Sequence, residues 1–163
     1  MRARPAVDTQ AYHAAIGHVA MEWSALENSV HRLAWCLAGV DTNIGRCMTQ
    51  HTAFGTVWDS ILAMSVERKL PAARQQKLRA LQSQSEPLRL KRNEVVHALW
   101  GIASGEDLAK GQLTAVVVKA RGKLKIDLYN YSIEFMHELA AKISNLSLAI
   151  AEQAILSPNA PAA

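Results

Sequence analysis

The chain has 163 residues and a formal net charge of +4, from 18 Lys and Arg against 14 Asp and Glu. Half of the residues are hydrophobic and 20% are charged, an ordinary globular balance that permits a phosphate-bearing partner and suffices for one domain with its own core. No stretch of ~18 apolar residues can cross a membrane, residues 1–10 lack the apolar run of a signal peptide, and Cys36 and Cys47 have neither CxxC nor zinc spacing, so the expectation is a cytoplasmic protein with no metal site and no cofactor.

Asp8 or Thr9 can cap a long first helix that runs to Gly39. Its apolar stripe is Ile16, Val19, Ala20, Trp23, Leu26, Val30, Leu33, Ala34 and Leu37, and Gly39 suits the residue just past its end. Glu27 interrupts it. This residue falls on the seam 16-20-23-27-30-34-37, where a buried carboxylate needs a partner or a proton. The partner is either a structural one, an amide or a core side chain, or it is Arg92 or His97 further along the chain.

Asp41 predicts the cap of a short helix ending near Thr49. A second, from about Thr52, carries Phe54, Val57, Trp58, Ile61, Leu62 and Ser65 on one stripe. Trp23, Trp35, Trp58 and Trp100 lie on or near apolar stripes and read as core, not as platforms for stacked bases. Pro71 fits the first turn of the next helix. There Leu78, Leu81, Ser85, Leu88, Arg92, Val95 and Leu99 recur at three and four, and Pro87 is expected to bend or split the helix. Basic residues gather along this region at Arg68, Lys69, Arg74, Lys77, Arg79, Arg89, Lys91 and Arg92; the outer members read as a solvated helix face.

After Trp100-Gly101 the period changes. Leu113 to Val118 is β-branched and apolar, and Leu124, Ile126 and Leu128 alternate with Lys123, Lys125 and Asp127. A β-hairpin with its turn at Ala120-Arg121-Gly122 follows, and Leu99 to Ala103 offers a third short strand. Ser104 to Gly111 reads as a polar loop. Ser132 caps a last helix with Ile133, Met136, Leu139, Ala140, Ile143, Leu146 and Ile150 on its stripe. The predicted fold is mainly α: a four- to five-helix bundle over residues 1–156, with a small antiparallel hairpin inserted before the last helix. Residues 157–163 read as a disordered tail.

The polar exception to the third long helix is Arg92-Asn93, with His97 five residues after the arginine. Arg supplies a permanently charged planar fork for phosphate oxygens. His titrates nearest neutrality, and Asn both donates and accepts. Five helical residues turn the chain by about 500°, so Arg92 and His97 on one regular helix point ~140° apart. Either the helix ends or bends near His97, or a second copy of the motif faces the first.

This arrangement resembles the HEPN superfamily, small helical bundles that share an Arg-x(4–6)-His motif, often with a polar residue directly after the Arg. Arg92, Asn93 and His97 match with a four-residue spacer, and the likeness covers about residues 10–155. The resemblance implies metal-independent RNA cleavage at a site shared by two subunits, in a toxin or phage-defence effector, with an antitoxin or nucleotidyltransferase as regulating partner. One subgroup continues the motif as His-x-Tyr, the Tyr being modified by the nucleotidyltransferase; this chain departs from it with Leu99.

The chemistry of the residues is compatible with that reaction. RNA carries its own nucleophile, the 2′-hydroxyl, and two histidines from two subunits can take one proton and give another. Arg92, His97 and Asn93 are therefore the candidate catalytic residues, with Glu27 placed behind Arg92 or His97, in a homodimer acting on RNA. Two other readings use the same residues. One is a regulatory module that only holds an RNA or nucleotide phosphate. The other is a structural dimer in which Arg92 pairs with Glu27.

Overall fold

Side-chain caps open three of the helices. Asp8 Oδ1 accepts the Ala11 amide at 2.9 Å at the head of α1 (Thr9–Ala38). Asp41 Oδ1 accepts the amides of Asn43 and Ile44 at 2.8 and 3.2 Å at the head of α2 (Thr42–Thr49). Ser132 Oγ accepts the Phe135 amide at 3.1 Å before the last helix, α5 (Ile133–Ile155). Each satisfies a donor that a helix start leaves without an intrahelical partner. Between them lie α3 (Phe54–Glu67) and α4 (Ala72–Val96). This computed structural model describes residues 7–101, 106, 110 and 112–156. They form a mainly α protein with a three-stranded antiparallel sheet ahead of the last helix, as the sequence predicts. The expected tail at 157–163 and most of the expected loop at 104–111 lie outside the described residues.

Helix ends are closed as locally. Gly39 takes φ 75°, and the amides of Gly39 and Val40 both reach the Trp35 carbonyl, at 2.9 and 3.2 Å. An L side chain rarely adopts that φ, which is why glycine ends α1. Arg68 donates to the Ala38 carbonyl at 3.0 Å, and Arg74 to the carbonyls of Gln153 and Leu156 at 2.6 and 3.0 Å. These two members of the basic set cap helix C-termini, where positive charge is favoured. Arg74 is half-buried in this role, whereas Arg68 stays exposed to solvent, as do Lys69, Lys77 and Arg79.

The residues fall into two compact units, one comprising the chain up to Met21 together with Leu88–Ala141, the other Glu22–Pro87 and the chain from Lys142. In the first, Tyr12, Ala15 and Val19 of α1 are buried, as are Val95, Ala115, Met136, Leu139 and Ala140. In the second, Trp23, Leu26, Val30, Leu33 and Leu37 of α1 are buried with Val57, Trp58, Ile61, Leu78, Leu81, Ile143 and Ile150. The buried line of α1 is thus 12-15-19-23-26-30-33-37, a step away from the seam expected through Glu27. Leu26 takes the buried position and Glu27 is half-buried on its flank. A neighbouring helical residue is turned by about 100°, enough to bring the carboxylate to the water.

The expected split of α4 does not occur, because the helix continues through Pro87. The proline removes the N–H that would reach the Ser83 carbonyl. Both residues are exposed, so solvent can satisfy that carbonyl.

The sheet has the order β1-β2-β3, with β1 at Leu99–Gly101, β2 at Thr114–Arg121 and β3 at Lys123–Tyr129. Arg121 pairs with Lys123 across Gly122, whose φ of 75° makes the one-residue reversal possible. Register then fixes the faces. Leu99 pairs with Val116, Val116 with Leu128 and Val118 with Ile126, so these residues share one face, with Leu124 two residues before Ile126 on the same side. Trp100, Ala115, Val117, Asp127 and Tyr129 lie on the other. The second face is the inner one: Ala115 is fully buried and Tyr129 stacks on Tyr131 at 5.4 Å between ring centres. The more apolar face is the one exposed.

Candidate functional site

α4 ends at Val96, and two hydrogen bonds explain how. The Asn93 carbonyl accepts the His97 amide at 3.1 Å, completing the last turn. The Val95 carbonyl accepts the indole N–H of Trp100 at 2.8 Å. A tryptophan from β1 therefore caps the helix that it has just left. Its ring is held in turn between Tyr12 and Tyr131, at 5.7 and 6.4 Å between centres. With that ring fixed, the backbone must leave the helical path at His97. Of the two solutions that the ~140° divergence allowed, the chain takes the helix end.

The motif accordingly closes within one chain. Arg92 Nη1 lies 2.9 Å from Asn93 Oδ1 and 3.2 Å from His97 Nε2. An arginine only donates, so Nε2 accepts and the ring proton sits on Nδ1. Both Nη1 protons are engaged, one by each neighbour. Asn93 acts on both partners, holding Arg92 with its side chain and His97 with its carbonyl. Arg92 and Asn93 are half-buried, whereas His97 is exposed. Burial with a fixed amide orients the guanidinium; exposure leaves the imidazole within reach of a ligand.

A second polar cluster braces the same turn, and nothing in the sequence pattern picked it out. Tyr131 Oη donates to Glu94 Oε2 at 2.7 Å, and Lys91 Nζ donates to the same oxygen at 2.8 Å. Lys119 approaches the other carboxylate oxygen at 3.8 Å. Burial raises the Glu94 carboxyl, but the bonds from Lys91 and Tyr131 outweigh it and hold the group below the usual carboxylate range. Burial, helped by the Glu94 bond and charge, pushes the Tyr131 phenol up to about 12. The bond to Glu94 raises the Lys91 ammonium. Lys91 also lies 5.5 Å from the centre of the Tyr129 ring. The cluster ties the last turns of α4 to β2 and to the entrance of α5, beside the motif.

Glu27 belongs to the second unit. Its charge acts on His31, one turn along α1, where burial lowers the imidazole and Glu27 partly offsets this. His137 faces His18, with Nδ1 atoms 3.5 Å apart, and both are exposed. Of the four tryptophans, Trp23, Trp35 and Trp58 are buried and Trp100 is half-buried as the helix cap. Among the described residues no three His, Cys, Asp or Glu side chains converge as a metal site, and no helix is long and apolar enough to cross a membrane. No protein-family model, curated protein or solved structure matches this chain.

Proposed function

We propose that the protein is an endoribonuclease that requires no metal, acts as a homodimer through Arg92, Asn93 and His97, and leaves 2′,3′-cyclic phosphate and 5′-hydroxyl ends. The observation that carries this reading is the constellation itself: a guanidinium oriented by Asn93, 3.2 Å from an exposed imidazole nitrogen. Arg92 binds a non-bridging oxygen of the scissile phosphate. Once Nη1 turns its hydrogen bond from His97 to the phosphate oxygen, Nε2 of His97 is released and can take the proton of the 2′-hydroxyl. The 2′-oxygen then bonds to phosphorus, the bond from phosphorus to the 5′-oxygen breaks, and the leaving oxygen takes a proton from His97 of the partner subunit. RNA supplies the nucleophile, so the step needs no metal-bound water.

A role as toxin or phage-defence effector, with an antitoxin as partner, rests on the resemblance to HEPN proteins alone. The second reading is a module that binds RNA phosphate without cutting. It is favoured by the resting bond that occupies Nε2. Purified protein incubated with RNA in excess EDTA decides between them. Fragments whose ends have the mass of a 2′,3′-cyclic phosphate support cleavage; bound but intact RNA selects the binding module.

A further inference from the structure

The outer face of the sheet carries Leu99, Val116, Val118, Leu124, Ile126 and Leu128. Leu99 is 74% exposed, Leu124 69%, Leu128 61%, Val118 59% and Ile126 58%. These five side chains together present on the order of 500 Å² of contiguous apolar surface, the upper range for any patch on a monomer. Alternation sends Lys119, Lys125 and Asp127 to the opposite face. There Lys119 and Lys125 pair with Asp127 at 3.5 and 2.9 Å. A half-solvated antiparallel sheet ordinarily shows its polar face to water; here the apolar face is also exposed, while the other face is covered at Ala115 and Tyr129 and open at Lys119 and Lys125.

We infer that this face is the dimer interface, and that its occupant is the same face of a second copy of this chain. Three features favour a second copy. Among the described residues the face carries no charge, so two identical faces meet without like-charge repulsion and need no complementary partner surface. A stable interface takes about 800 Å² from each partner, of which an apolar centre of this size and a polar rim are the normal parts. Of the two edge strands β3 is the longer, and it carries Lys125, a residue type that discourages strand-to-strand pairing. Association therefore goes through the face, as two sheets packed about 10 Å apart. Leu99 lies two residues after His97, so this contact carries each copy's motif to the rim of the interface. The inference names the partner surface of the homodimer proposed above and rests on that reading.

Sedimentation at tens of micromolar tests it on the full chain. The wild type should have twice the 17.8 kDa chain mass. Ile126→Glu and Val118→Glu, both at exposed positions, should each weaken dimerisation by ~100-fold or more, since each interface then buries two unpaired carboxylates. Their helical circular dichroism should match the wild type, and their melting should fall only by the amount that dimerisation contributed. Leu148→Glu, at a 64% exposed site on α5, should leave the dimer intact. A wild-type monomer overturns both the dimer and this interface, as does open-ended association. A wild-type dimer that survives both sheet variants, or one that Leu148→Glu disrupts equally, overturns the interface and leaves the dimeric reading standing.

Discussion

Nη1 of Arg92 and Nε2 of His97 lie 3.2 Å apart although a regular helix would turn the two residues to different sides. The chain brings them together by ending α4 one residue before the histidine and holding the end with Trp100. In the contact the imidazole accepts from the arginine, so under the proposed mechanism phosphate binding and release of the base are one event. This coupling makes the shape of the guanidinium decisive. Arg92→Lys should lower cleavage by ~100-fold or more, since an ammonium cannot present the fork. Its melting temperature should stay close to wild type, as Arg92 is only half-buried. Cleavage rates and a melting curve on one preparation check this.

Asn93 gives a sharper test of orientation. Asn93→Asp keeps the acceptor beside Nη1 but puts a negative charge there. The new ion pair should hold Arg92 more tightly and compete with phosphate, weakening RNA affinity by ~10-fold without loss of stability. Asn93→Ala removes the bond and should lower the rate at saturating RNA more than the affinity. A titration of RNA with each variant separates the two effects.

The Glu94–Tyr131 pair predicts how stability varies with pH. The Tyr131 phenol titrates at about 12 in the folded chain against an ordinary 10.0. Its contribution is therefore full below pH 10 and is lost as pH rises through the folded value. Glu94 has the opposite sign. Its folded carboxyl lies below 4.5, so its contribution is present above that value and is lost on acidification. Tyr131→Phe should cost ~1–3 kcal/mol at neutral pH, as the carboxylate loses a donor. It should also flatten the alkaline limb, which melting curves between pH 7 and 11 would record.

Gly45→Ala reverses the usual sign for a helix. Alanine in place of a helical glycine ordinarily gains ~1 kcal/mol. In α2 a Cβ at this position would collide with Cγ of Trp35, whose ring is buried and donates to Thr49 Oγ1 at 3.2 Å. The ring must move, so the variant should lose ~1–3 kcal/mol in chemical denaturation.

Helices and caps were legible because they depend on neighbours in sequence. Asp8, Asp41, Gly39 and Ser132 each act on amides or carbonyls within a few residues. Glu27 was misplaced because α1 carries two adjacent apolar lines, and periodicity alone does not say which is buried. The sheet shows the same limit. Leu124, Ile126 and Leu128 gave the period of β3, but the inner face was decided by Tyr129, Trp100 and Tyr131, which lie apart in the chain. Arg92, Asn93 and His97 stood out as polar residues on an apolar helix. Their mutual geometry did not, since it depends on the Trp100 cap and on the Glu94–Tyr131 bond across 37 residues.

The most direct test of the proposed chemistry compares wild type with His97→Ala on one RNA in excess EDTA, measuring cleavage and binding together. His97 is exposed, so the variant should fold and bind RNA like the wild type. It should cut ~10²–10⁴-fold more slowly, the contribution of one acid–base group. Cleavage that persists at the wild-type rate in His97→Ala, or that appears in the wild type only with added Mg²⁺, would contradict the account.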